Sequence, residues 1–120
     1  MRYLMLIHEE PGHDAGAPPA ALIEAVGALR ADTSLGRWLD DGGLTAPEDA
    51  LWVRTADGRA TVLDGPFAES KEVIGGFFVI ESASRDDMTR WVEQFIELHA
   101  EHWPELSYTA QVRQIAEPDA

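Results

Sequence analysis

Two apolar stretches constrain this chain more than anything else in it: Tyr3 to Ile7, and Val73 to Ile80 with only a glycine pair inside. A strand with one wet face alternates apolar and polar residues. One that is apolar throughout is covered on both faces and belongs in the middle of a sheet. Residues 2–8 and 73–81 are therefore read as two central strands. Residues 9–19 form a loop by their Gly and Pro content, and Pro19 suits a first helical turn, where its missing N–H costs nothing. Leu22, Val26, Leu29 and Thr33 then follow a 3.6-residue spacing. This predicts a helix with an apolar face to about Leu39, stopped by Gly42 and Gly43.

Residues 50–56 and 60–63 flank Asp57-Gly58, a pair that tolerates the positive φ of a tight hairpin turn. Asp64-Gly65-Pro66-Phe67 reads as a second turn. Ser84-Arg85-Asp86-Asp87 resembles a capping box with Asp in place of Glu. Met88, Trp91, Val92, Phe95, Ile96 and His99 follow on one face of a strongly amphipathic helix. Pro104 limits that helix at about Trp103, and a last strand runs from about Thr109 to Ile115. The order β-α-β-β-β-α-β defines an α+β, ferredoxin-like split βαβ with an added β-hairpin. In that fold the two fully apolar strands occupy the centre of the sheet. Its helices cover one face only, so the open face calls for a second copy of the chain, a homodimer.

With 120 residues and 13.2 kDa the chain is one domain, 1–120, able to bury a core without staples. Nine Lys+Arg against 22 Asp+Glu give a net charge of −13, which repels nucleic acid and anionic membrane surfaces. No stretch reaches the ~18 apolar residues of a membrane span. The run at 3–7 is too short for a signal-peptide core, so a cytoplasmic location is expected. Cysteine is absent, which removes disulfides, thiolate zinc sites and thiol nucleophiles. The phosphate loop, nucleophile elbow and dinucleotide fingerprint are missing as well, so no cofactor is expected.

Chemistry concentrates in two places. Asp64, at the turn before the second central strand, is followed by Glu69, Lys71 and Glu72. Partly buried, such a carboxylate has a tuned pKa and can do acid–base work; exposed, it caps its turn. Lys71, the only lysine, and Phe67 are the loop's candidate ligand contacts; the plainer role for Lys71 is an ion pair with Glu69 or Glu72. His8 ends the first strand and is the candidate proton carrier of a cleft. HEEPGHD (8–14) contains two imidazoles and several carboxylates, but its loose spacing favours a solvated loop over a metal site, and no metal is expected. His99 and His102 share a helical face without forming HExxH, and His99 continues the apolar stripe as a core or interface histidine. Trp38, Trp52, Trp91 and Trp103 are read as core or interface, and Glu93, Glu97 and Glu101 as a solvated face.

DGPFAESKEVIGGFFVIE (64–81) resembles the DGPF signature of the YCII-related family, as do MRYLMLIHEE, TADGRATVLDGPF and the closing VRQIAEPD. The resemblance implies a ferredoxin-like domain that pairs into a dimeric α/β barrel, with a cleft between sheet and helices. It also implies a link to regulation by extracytoplasmic-function sigma factors. A distant enzymatic branch includes a dehydrochlorinase with a His–Asp pair whose histidine lies on the first helix, and residues 20–41 here contain no histidine. The expectation is a homodimeric small-molecule-binding protein. The alternative is a cofactor-independent lyase or isomerase acting through Asp64 with His8 or Glu69.

Overall fold

Strands β1 (Arg2–Glu9) and β5 (Val73–Glu81) pair antiparallel, with Leu4 opposite Val79 and Leu6 opposite Phe77. The computed structural model describes residues 1–10, 15–63 and 73–118. On the outer sides β2 (Arg37–Gly43) pairs with β5 and β6 (Tyr108–Gln114) pairs with β1, both antiparallel. The order β2-β5-β1-β6 puts the two apolar strands at the centre, as their composition predicts. Their side chains alternate between two environments. Tyr3, Met5, Ile7 and Ile80 are buried with Met88, Trp91 and Phe95 of α2 (Arg85–His102) and Leu29 of α1 (Ala20–Ala31). Leu4, Leu6, His8, Phe77 and Val79 lie on the other face, which neither helix covers, and are half-buried.

The aromatic part of the core is built edge to face. Trp38 meets Phe78 at 5.0 Å and Trp91 at 5.8 Å between ring centroids, while Trp91 stacks on Phe95 at 5.5 Å. Full burial of a ring such as Phe95 contributes about 1.5–3 kcal/mol by area. Helix α2 begins at Ser84, whose hydroxyl accepts from the Asp87 N–H at 3.1 Å, the capping contact the sequence implied. Asp86 and Asp87 in the first turn complement the helix dipole.

The first helix is shorter than its spacing predicts. It ends at Ala31, and Arg37–Gly43 is a strand, not the helix's last turn, so the order is β-α-β-β-β-β-α-β. Asp32 leaves the helical region at φ −86° and ψ 106°, and its carboxylate accepts from the Ser34 N–H at 3.0 Å. That local bond offers the backbone an alternative to another helical turn. Beyond it, pairing with β5 and burial of the Trp38 indole outweigh helical propensity. Thr33 is exposed, and Gly42 and Gly43 lie inside the strand. Pro19 sits just ahead of α1 at ψ 148°, its carbonyl accepting from Leu22 and Ile23. The added hairpin is present as β3 (Trp52–Ala56) and β4 (Arg59–Leu63) in a two-stranded sheet of their own. At its turn Asp57 and Gly58 take φ +54° and +74°, as a tight hairpin requires.

Candidate functional site

On the helix-covered side, a cleft of about 220 Å³ opens where β1 ends, β5 begins and α2 runs out. Its apolar wall is Ile7, Phe78, Phe95 and Leu106, and Gly42, Gly43, Gly75 and Gly76 bring backbone to its surface. The polar side chains that line it are Glu9, Asp41, His99 and Tyr108. At this volume the cleft suits a ligand of about one ring, since drug-sized pockets start near ~300 Å³.

Each polar group is held for a stated reason. The β1–β5 register shifts between Ile7 and His8, and Gly75 is left without a partner on β1. The Glu9 carboxylate packs against this bulge, so closely that a Cβ on Gly75 would lie 2.7 Å from it. Asp41 accepts from the Trp38 indole N–H at 2.8 Å, and the Arg30 guanidinium lies 4.0 Å away. His99 packs on Phe95 at 4.4 Å and meets Tyr108 edge-on at 5.3 Å. Its Nδ1 lies 2.8 Å from the Phe95 carbonyl oxygen. A carbonyl only accepts, so Nδ1 carries the proton and Nε2 is left as an acceptor. Burial pushes the imidazole below its ordinary 6.5, and the bond to Phe95 opposes that shift without cancelling it. The Tyr108 hydroxyl is buried and has no hydrogen-bond partner among the described residues, and burial pushes its pKa up. A buried polar atom without a partner costs about 1–3 kcal/mol, so something is expected to satisfy it.

The sequence candidates divide by position. Asp64, Phe67, Glu69 and Lys71 lie outside the described residues, as do His13 and Asp14. His8 is on the open face of the sheet, its Nε2 3.1 Å from the Gln111 side-chain oxygen, so the sheet separates it from the cleft. The histidine in the cleft is His99, which does continue the α2 stripe but ends it at a wall of the cavity. Glu9, Asp41 and Tyr108 were not singled out by sequence reasoning. Tyr108 carried one usable signal, an aromatic residue opening the last strand soon after the helix whose last turn holds His99.

The sheet order and the two helices on one face define a ferredoxin-like α+β domain with a small cleft at its strand ends. The sequence pattern of the YCII-related domain matches residues 1–108, and the chain belongs to that family. A protein of Rhizobium meliloti (strain 1021), described as uncharacterized, is 47% identical over 38 residues. That match covers 32% of this chain and 31% of the relative, so it aligns only a segment of either protein. Among the described residues, no helix is long and apolar enough to cross a membrane.

Proposed function

We propose that this YCII-related domain is a homodimeric small-molecule-binding protein whose ligand occupies the cleft between the sheet and α2. One observation carries the reading: a buried Tyr108 hydroxyl with no partner among the described residues, beside a histidine whose Nε2 accepts when the ring is neutral, both lining a ring-sized cavity. Homodimerisation through the open face is supported by its half-buried Leu4, Leu6, Phe77 and Val79. A cytoplasmic location rests on the sequence, and a role in sigma-factor regulation rests on the family resemblance alone.

The loop residues Asp64, Phe67, Glu69 and Lys71 lie outside the described residues and enter this reading as candidates from the sequence. The second reading is a cofactor-independent lyase or isomerase acting through Asp64 with His8 or Glu69; of these partners His8 lies across the sheet from the cleft, which favours Glu69. In a dimer packed through its open faces, His8 would face the partner. Titrating ring-sized fragments into ¹⁵N-labelled protein tests the binding reading. Saturable shifts are expected to cluster at Gly43, Gly75, Phe78, His99 and Tyr108. Fragments that bind only elsewhere, or not at all, would reject it. Asp64→Asn then tests the loop: a tenfold loss of affinity with unchanged melting assigns Asp64 to the site, and unchanged binding removes it.

A further inference from the structure

The polar groups of the cleft share one property. Glu9 and Asp41 are carboxylates, His99 presents only its Nε2 lone pair, and the Tyr108 oxygen has free lone pairs. All four can accept a hydrogen bond, and among the described residues the lining includes no arginine or lysine. Two carboxylates in one small cavity, in a chain of net charge −13, make its interior attractive to a cation and hostile to an anion. The rings of Phe78, Phe95 and Tyr108 also line the cavity, and an aromatic ring attracts a cation that reaches its face. Asp41 already has the Trp38 N–H and a nearby Arg30, so Glu9, packed on the Gly75 bulge, is the carboxylate with capacity left over.

We propose that the cleft binds a small, flat organic cation carrying several N–H donors, with Glu9 as its counter-ion and His99 Nε2 and the Tyr108 oxygen as further acceptors. This rests on the binding reading above and adds the charge and hydrogen-bonding class of the ligand. The apolar wall holds the ring, and the glycines let it lie against the backbone. A neutral imidazole is needed, because a protonated His99 would lose its acceptor and repel the cation. Among the described residues, the titratable groups that line the cleft with His99 are Glu9 on β1, Asp41 on β2 and Tyr108 on β6, none of them cationic, with the Arg30 guanidinium of α1 4.0 Å from the Asp41 carboxylate.

Benzamidine, benzamide and benzoate have nearly the same shape and carry charges of +1, 0 and −1. Each is titrated into ¹⁵N-labelled protein at about 0.15 M salt, where the Debye length of ~8 Å suppresses loose attraction to the acidic surface. Benzamidine is expected to bind the cleft saturably and at least tenfold tighter than benzamide, with benzoate binding undetectable. Glu9→Gln should weaken benzamidine at least fivefold and leave benzamide unchanged. Tyr108→Phe, which keeps the ring, should weaken benzamidine by a smaller factor. Benzamide or benzoate binding the cleft as well as benzamidine would overturn the charge assignment while leaving the binding cleft intact. So would a Glu9→Gln protein with unaltered affinity, or benzamidine shifts scattered over the surface without saturation. If none of the three disturbs a cleft resonance, the binding reading fails with it. Should Glu9→Gln not fold, the ranking of the three probes on the unaltered protein still decides.

Discussion

His99 couples the cleft to pH in a direction that can be worked out. Burial holds its pKa in the folded chain below the ordinary 6.5 of the unfolded chain. In the window between the two values the unfolded state binds the extra proton, so folding is weakened by acid. Its contribution is therefore fully present above about pH 6.5 and is lost as pH falls toward the folded value. Urea unfolding at a series of pH values should show this loss, and His99→Gln, which does not titrate, should flatten that part of the profile. No difference in slope between the two proteins would remove His99 from the account. Tyr108 behaves with the opposite sense. Its raised pKa contributes stability below the ordinary 10.0 that disappears as pH rises past it. The glycines beside the cleft differ from each other in a testable way. A Cβ on Gly75 meets the movable end of Glu9, whereas one on Gly76 meets the Gly42 carbonyl oxygen at 3.0 Å, part of a paired strand. Gly76→Ala should cost about 1–3 kcal/mol by overpacking, and Gly75→Ala under ~1 kcal/mol because the carboxylate can swing aside. Chemical denaturation of both variants measures the difference, and equal losses would contradict it.

Among the elements, α2 was fully legible because its signals are local and agree: a capping residue, a stripe at helical spacing and a proline just beyond its end. Ser84→Ala should therefore cost about 1 kcal/mol, the usual loss of a capping oxygen. A value near zero would mean that the Ser84–Asp87 contact is idle in solution. The boundary of α1 was not legible. Thr33 falls at the right spacing after Leu29, and nothing local says that Trp38 is required by an aromatic core built from β5 and α2. That information is long-range. The same reason hid the cleft. Glu9 looks like the start of an acidic loop until the β1–β5 bulge places it on Gly75, and Asp41 looked like the end of a helix. The hairpin was legible from Asp57-Gly58 alone, but its independence was not. Residues 53–62 are exposed throughout, including Val53 at 54% and Val62 at 69%. A two-stranded hairpin with no packed face is marginal in water. Its amides should exchange hydrogen much faster than those of β1 and β5, measured by NMR on the folded protein. Equal protection would show that something covers the hairpin in solution.

The whole molecule has a sheet with helices on one side and Leu4, Leu6, Phe77 and Val79 on the other, and this asymmetry motivates the dimer. A stable interface needs about 1,200 Å² or more of total buried area, and a four-stranded face is the surface of this chain able to supply it in one plane. Charge works against the pairing. Two copies at −13 each bring like charges together, at a cost that salt screens. The dimer should therefore tighten as ionic strength rises from ~0.01 to ~0.15 M, the reverse of what opposite-charged partners show. Light scattering at micromolar concentration is expected to give twice the 13.2 kDa of one chain. Leu6→Lys places an ammonium near the middle of the open face. In an isolated chain that side chain can extend into solvent, so circular dichroism should be unchanged, but in the dimer it would be buried opposite its own copy. The mass should then fall to that of a single chain. If the unaltered protein is already monomeric, or if Leu6→Lys stays dimeric and folded, pairing through this face is wrong, and another cover must be sought for the open side of the sheet.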